Sequence, residues 1–213
     1  AEAHPVVREE AAAADLDDAA LAAARAEGRD ARAFARLVGR HEGLLRRAAF
    51  VALGAAARRD PLLVDDAVQE ACVRLVGALA RFRGDSAVAT FMAAVARRAA
   101  LDELRKAARR GAKAARAARF AGDAAASGDG VPPGSGGDPA PAFERREASE
   151  RVAALLARLP EPERSLVYLR DAEGASLDDL ARAFGLREGT VKSKLARARA
   201  KLRGQALAEW GDA

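Results

Sequence analysis

Hydrophobic positions recur at helical spacing over most of the chain. Between residues 30 and 110, three successive segments place apolar side chains three or four positions apart, as a helix with one buried face requires. The first follows Asp30, a favourable cap, and the second follows Asp60-Pro61, where proline at the first helical position loses no hydrogen bond. The third follows a break at residues 82–86, so we predict three helices here. Their apolar positions are Phe34, Leu37, Val38, Leu44 and Leu45; Val64, Val68, Cys72, Leu75 and Leu79; and Val88, Phe91, Val95, Leu101 and Leu104.

The last quarter of the chain predicts two further helices joined by a glycine turn. Ser176 precedes the first helix and Asp179 follows three positions later, which is the spacing of a capping box. Gly185 supplies the turn. In the second helix an inward stripe recurs at steps of four, three and four, formed by Val191, Leu195, Ala198 and Leu202. The opposite face is basic and hydroxylated, a pattern typical of a helix-turn-helix whose second helix enters a DNA major groove.

Two segments lack this periodicity. Residues 1–27 are rich in alanine and acidic residues, and we expect a flexible acidic N-terminal tail there. Residues 111–148 interleave glycine and proline and bury too little apolar area to offset their chain entropy, which predicts a flexible linker. The rest forms one helical domain over 28–110 and a helix-turn-helix domain over 149–207. The predicted fold class is all-α, with two small helical domains joined by the linker.

Composition narrows the function classes. The chain has 213 residues with one cysteine and two histidines, too few for an internal disulfide or a zinc site. It contains no run of about eighteen apolar residues, so we expect no membrane insertion and a cytoplasmic protein. No phosphate-binding glycine loop, nucleophile elbow or zinc signature is present. We therefore expect neither an enzyme nor a protein with a cofactor or metal.

Charge is unevenly distributed. The net charge of +5 is modest, yet residues 97–119 hold nine basic residues against Asp102 and Glu103, whereas the first 20 residues are acidic. Local basic patches of this kind matter more for nucleic-acid binding than the total charge.

Two sets of motifs resemble one known family. The first set is Asp65-Asp66-Ala67-Val68-Gln69-Glu70, Phe82-Arg83-Gly84-Asp85-Ser86 and Thr90-Phe91-Met92-Ala93-Ala94-Val95-Ala96-Arg97, with Asp102 and Arg105. The second set is Leu159-Pro160-Glu161-Pro162-Glu163-Arg164, Leu169-Arg170, Glu173-Gly174 and Gly189-Thr190-Val191-Lys192-Ser193-Lys194-Leu195-Ala196-Arg197-Ala198-Arg199. They resemble regions 2 and 4 of the extracytoplasmic-function (ECF) group of bacterial sigma factors, in the sigma-70 family. Helix-turn-helix patterns are common, but both sets in this order and spacing are a strong signal.

The resemblance implies an RNA polymerase sigma factor that directs promoter recognition, promoter melting and transcription initiation. Region 2 would dock on the clamp helices of core RNA polymerase and open the minus-ten promoter element. Region 4 would read the minus-thirty-five element, and the linker would enter the polymerase near the RNA path. The implied partners are core RNA polymerase and promoter DNA, with an anti-sigma factor as a further candidate.

The residues themselves support these roles. A polar face on the second helix suits a partner surface that bears basic residues, although a solvated helix face gives the same pattern. The predicted polymerase-binding residues are Asp65, Asp66, Gln69 and Glu70. Strand opening needs loop groups that hold bases and cations that hold phosphates. The predicted residues for it are Arg83, Asp85, Ser86, Arg97, Arg98 and Arg105, and those of the recognition helix are Arg187, Thr190, Lys192, Ser193, Lys194 and Arg197.

The sequence departs from the family at three positions. Phe91 replaces the usual tryptophan, and its helical spacing with Val95 favours a core residue over a base-stacking one. Arg98 replaces the usual asparagine. Arg187 takes a cap position where the family often has serine, so the recognition helix lacks a side-chain cap oxygen.

Two other functions fit parts of the pattern. A stand-alone helix-turn-helix transcriptional regulator would bind duplex DNA as a symmetric dimer, with the first domain for dimerisation or sensing. A helical adaptor that binds protein partners would retain only weak, sequence-blind DNA binding.

Overall fold

The structure is a computed structural model that describes residues 31–121 and 150–211, together with the single positions 18, 20 and 22. The described parts are helical and contain no strand, in agreement with the predicted all-α class. The elements are α1 (Ala31–Leu53), α2 (Ala55–Arg59), α3 (Leu62–Leu79), α4 (Val88–Ala121), α5 (150–157), α6 (Glu163–Val167), a π-helical turn (Tyr168–Ala172), α7 (Leu177–Phe184) and α8 (Glu188–Trp210).

The first domain is a bundle of α1, α3 and α4. The predicted stripes face its interior, where Leu37, Leu75 and Met92 are fully buried. Asp60 accepts a hydrogen bond from the Leu62 amide (3.2 Å) and Pro61 precedes α3, so the predicted start of the second helix is confirmed. The short helix α2 was not predicted from the pattern.

The third helix of the bundle is longer than predicted. α4 continues to Ala121, which moves the start of the linker beyond the predicted position 111. Alanine, arginine and lysine dominate this stretch, and their helix propensity outweighs the cost of Gly111. Residues 122–149, which hold the rest of the predicted linker, lie outside the described residues.

Only three positions of the predicted N-terminal tail are described, and two of them, Asp18 and Ala22, pack against the first domain. Asp18 forms an ion pair with Arg40 (2.8 Å) and contacts His41 (2.6 Å), while Ala22 is buried. The other residues of the predicted tail, 1–17, 19, 21 and 23–27, lie outside the described residues.

The second domain contains the predicted helix-turn-helix. The Asp179 amide donates to Ser176 Oγ (3.0 Å), and Gly185 ends α7 in the left-handed conformation with φ of 64°. Leu180 and Val191 are fully buried where α7 packs on α8. The cap, the turn and the inward stripe are therefore confirmed.

The two domains also contact each other directly. A single apolar cluster includes Leu75 and Met92 from the first domain and Leu166 and Leu180 from the second. Among the helices of the described residues, none is long and apolar enough to cross a membrane.

Candidate nucleic-acid and protein interfaces

The predicted polymerase-binding face on α3 divides into engaged and free side chains. Asp65 forms an ion pair with Arg46 (2.5 Å). Glu70 pairs with Arg74 (2.8 Å), whose guanidinium also reaches Asp102 on α4 (2.7 Å). These two carboxylates therefore stabilise the bundle itself. The side chains of Asp66 and Gln69 lie exposed between them.

An apolar stripe accompanies these exposed polar side chains. Leu62, Val73 and Val76 are 70%, 69% and 42% exposed, although they are large hydrophobic residues. Positions 62, 66, 69, 73 and 76 follow steps of four, three, four and three, so they share one face of α3. We call these five residues the α3 stripe. The sequence reasoning missed its apolar members, which the same periodicity could have identified as a second apolar face.

The loop before α4 contains the first predicted DNA-contacting residues. Arg83 is exposed, and Gly84 adopts a φ of 75° that favours glycine. Asp85 offers its backbone carbonyl to Arg182 of α7, and Ser86 is half-buried. The loop is thus in contact with the second domain.

The predicted phosphate contacts on α4 are also engaged. Arg97 forms an ion pair with Glu161 of the second domain (3.3 Å) and lies over the Phe184 ring, 4.7 Å from its centroid. Arg98 donates to the Ala183 carbonyl of α7 (3.2 Å). Arg105 pairs within the bundle, with Asp102 (2.6 Å).

Phe91 packs inside the first domain. Its ring lies 4.8 Å from that of Phe82 at a tilt of 43°, and its side chain is half-buried against the core. This geometry supports the interpretation of Phe91 as a packing residue rather than an exposed platform for a base.

The recognition helix α8 keeps its basic face in solvent. Arg187 precedes it without a side-chain cap bond, as predicted. Lys192 pairs with Glu188 one turn earlier (2.6 Å), and Ser193 Oγ donates to the Thr190 carbonyl (3.0 Å). The outward side chains that remain are Lys194, which is half-buried, and Arg197, which is exposed and bonds only its own helix at Ser193 (3.4 Å).

Two basic residues further along α8 have structural partners. Arg199 pairs with Asp171, and Lys201 pairs with Glu163 (3.4 Å). Both pairs fasten the helix to its own domain, whereas Arg203 is exposed.

Comparison with known proteins assigns both domains to one family. The family model "Sigma-70 region 2" matches residues 37–110, and "Sigma-70, region 4" matches residues 149–202. The ECF RNA polymerase sigma factor SigM of Mycobacterium tuberculosis is 34% identical over 188 residues, which cover 88% of this chain and 84% of that protein. The RNA polymerase sigma-H factor of Pseudomonas aeruginosa is 32% identical over 134 residues, or 63% of this chain and 68% of that protein.

Solved structures share the fold. CnrH, solved in complex with the cytosolic domain of CnrY, has a TM-score of 0.57 and 26% identity, with coverage of 88% of this chain and 96% of that chain. The sigma factor RpoE from Bartonella quintana, solved with the anti-sigma factor NepR, has a TM-score of 0.56 and 19% identity over 80% of this chain and 94% of that chain.

These matches disfavour the stand-alone regulator, because they include the first domain as well as the helix-turn-helix. The first domain is region 2 and the second is region 4. The chain belongs to the extracytoplasmic-function sigma factors of the sigma-70 family.

Proposed function

We propose that this chain is a promoter-specificity subunit that acts with core RNA polymerase in the cytoplasm. It contributes promoter recognition and strand separation, with no bond chemistry of its own. Region 2 spans residues 28–110 and region 4 spans 149–207, with a connecting segment that begins after Ala121. The observation that carries the proposal is the exposed basic start of α8, on the same chain as the exposed mixed stripe on α3.

The α3 stripe is the proposed polymerase-docking surface. Exposed apolar area binds partners because its removal from water is favourable. Leu62 and Val73 flank Asp66 and Gln69, so the stripe suits a partner helix with apolar positions beside basic ones.

Region 4 is proposed to read duplex DNA through the start of α8. Lys194 and Arg197 are the candidates for base or phosphate contacts, and the backbone amides after Arg187 can meet a phosphate. Region 2 is proposed to hold the opened strand through Arg83, Arg97 and Arg98.

An anti-sigma factor is a further proposed partner. A groove of about 940 Å³ lies between the two domains and is lined by apolar side chains, with arginines at its edge. The lining includes Phe50, Val51, Leu155, Leu156 and Leu202, with Arg46, Arg47 and Arg203. Such a groove suits an amphipathic helix with acidic positions.

The direct test is transcription in vitro. Core RNA polymerase with the purified chain is given a promoter library, and transcripts that depend on the chain are sequenced. We expect initiation at a defined set of promoters with two conserved elements. Tight binding of a dimer to palindromic duplex DNA, without initiation, would instead identify a stand-alone regulator.

The docking surface is tested separately by affinity for core enzyme. Reversal of Asp66 to lysine together with Val73→Asp is expected to weaken association by about 2 kcal/mol or more, if the stripe lies at the centre of the interface. Glu209→Lys is the control, since it reverses an exposed acid at the far end of α8. Equal affinity of both variants would remove the α3 stripe from the interface.

A further inference from the structure

A buried arginine joins the two regions. Arg164 of region 4 is only 9% exposed, and its guanidinium donates to the Ala52 carbonyl near the end of α1 in region 2 (2.7 Å). The same guanidinium donates to the Leu159 and Ala157 carbonyls of its own domain (3.1 and 3.3 Å). Arg164 therefore bridges the domains through backbone oxygens.

The end of α1 is shaped to receive this side chain. Gly54 follows α1 with a φ of 58°, and a Cβ atom at that position would lie 2.5 Å from Arg164 Nη1. Only glycine leaves room for the guanidinium. The last carbonyls of a helix lack partners within it and carry partial negative charge, so a cation at this end is favourable.

Several other bonds cross between the domains. Arg47 of α1 donates to the Tyr168 hydroxyl (2.9 Å) and to Glu173 (3.1 Å). The Ala87 amide, at the start of α4, donates to Asp179 of α7 (2.8 Å). We call the state with these contacts the closed arrangement.

The closed arrangement engages part of the DNA surface proposed for region 2, namely Arg97 and Arg98, while Arg83 stays exposed. Arg97 forms an ion pair with Glu161 and lies over the Phe184 ring. Arg98 donates a hydrogen bond to the Ala183 carbonyl, and the Asp85 carbonyl accepts one from Arg182. A phosphate must displace region 4 to reach Arg97, whose side chain is 16% exposed, and it competes with the Ala183 carbonyl for Arg98. In contrast, the outward face of α8 remains exposed in the same arrangement.

The bridge is suited to reversible opening. Arg164 faces neutral carbonyls, and its Nε is buried without a hydrogen-bond partner among the described atoms. Burial lowers the pKa of Arg164, against the opposing effect of Glu161. Opening would return the cation to water and relieve this desolvation, which offsets part of the bonds that are lost.

We propose that Arg164 holds the free protein in a closed arrangement in which region 4 competes with DNA for Arg97 and Arg98 of region 2. The chain is thus self-inhibited until a partner separates the domains. The DNA-binding role of the covered residues rests on the proposed function, whereas the closed arrangement is a property of the free chain alone.

The first experiment compares full-length Arg164→Ala with Arg158→Ala. Arg158 is an exposed arginine of region 4 that pairs with Glu209 within its own domain. Small-angle X-ray scattering measures the radius of gyration, and fluorescence anisotropy measures binding to a random-sequence single-stranded DNA of about 12 nucleotides. We expect Arg164→Ala to be larger than wild type and to bind about threefold tighter or more, because the binding-competent fraction rises.

The gain in single-stranded DNA affinity should depend on the region 2 residues that opening releases. Adding Arg98→Ala to Arg164→Ala should remove it, while Arg158→Ala should match wild type in both measurements. A radius of gyration and a DNA affinity equal to those of wild type in Arg164→Ala would overturn the proposal.

A second experiment keeps Arg164 and so does not depend on how well Arg164→Ala folds. Cysteines replace Ala87 and Asp179, with Cys72→Ser to remove the natural thiol, and a short bis-maleimide joins them. The joined chain should lose single-stranded DNA binding and initiation with core polymerase, whereas the unjoined chain retains both. Equal initiation by the two forms would overturn self-inhibition. If the wild-type chain failed to initiate, that result would count against the proposed sigma-factor function. The scattering comparison would still test whether the free chain is closed.

Discussion

The two surfaces proposed for DNA differ in their present partners. On region 4, Lys194 and Arg197 lie on the outward side of α8 and contact no other domain. On region 2, Arg97 has a side chain only 16% exposed, and both it and Arg98 bind groups of region 4. Arg197 is thus exposed and bonds only its own helix, whereas Arg97 is largely buried against region 4 and Arg98, although exposed, is bonded to it.

This difference bears on the order of events. A cation already in solvent can meet DNA at once, and electrostatic attraction speeds that encounter. A cation bonded to a neighbouring domain must first exchange that bond for a phosphate. We therefore expect region 4 to recognise duplex DNA in the free protein, and region 2 to act only after the domains separate.

The largest expected effect lies on the open surface. Lys194→Ala or Arg197→Ala should weaken binding of the holoenzyme to its preferred minus-thirty-five element by about 1 to 3 kcal/mol if the side chain contacts a base. A competition assay with base-substituted duplexes separates the two roles, because a phosphate contact weakens all sequences alike. No loss in either variant would place the DNA on another face of region 4.

The covered surface should respond only when it is exposed. Arg98→Ala is expected to weaken the open complex of the holoenzyme by about 1 kcal/mol and to lower the salt dependence by about one phosphate contact. In the free chain the same change should leave duplex binding almost unaltered. If Arg98→Ala weakened duplex binding of the free chain as much as Lys194→Ala does, the expectation that only region 4 binds duplex DNA in the free chain would be wrong.

Local features of the fold could be predicted from the sequence. The Ser176 cap, the Gly185 turn and the inward stripe of α8 depend on residues within a few positions of each other, so the pattern contains the information. The start of the linker was placed too early, because residues 111–121 were grouped with the glycine- and proline-rich residues that follow them. Propensity summed over the stretch would have favoured the helix.

The state of the site residues could not be predicted in this way. The partner of Arg98 lies 85 positions away, and the carbonyl that accepts from Arg164 lies 112 positions away. Such pairs form through domain packing and leave no local pattern. The Glu70–Arg74 pair is different, since its spacing of four positions predicts contact on one helix face.

A smaller effect on duplex affinity should distinguish Lys192 from Lys194 on α8. Lys192 is already paired with Glu188, so Lys192→Ala removes a side chain that must leave an ion pair before it reaches DNA. We expect its loss in affinity to stay below that of Lys194→Ala, by about 0.5 kcal/mol or more, since an exposed pair of this kind is weak. Duplex binding by the two variants, measured at equal salt, checks the order. An equal or larger loss in Lys192→Ala would show that the Glu188 pair does not restrain Lys192.

The smallest expected effect concerns Asp102, which pairs with Arg74 inside region 2. The hydrogen bond from Arg74 lowers the pKa of Asp102 below its ordinary 3.8, burial opposes this, and Arg105 adds to it. A lowered pKa in the folded state contributes stability that is complete above pH 3.8 and is lost as the pH falls through the folded value.

Asp102→Asn should therefore lower the free energy of unfolding at pH 6 by less than about 1 kcal/mol, because both side chains of the pair are about one-third exposed. The difference from wild type should shrink as the pH falls below about 4. Urea unfolding between pH 6 and pH 3 measures it, with the exposed Asp66→Asn as the matched control. If Asp102→Asn followed the wild-type curve at every pH, the pairs of Asp102 with Arg74 and Arg105 would contribute nothing to the stability of region 2.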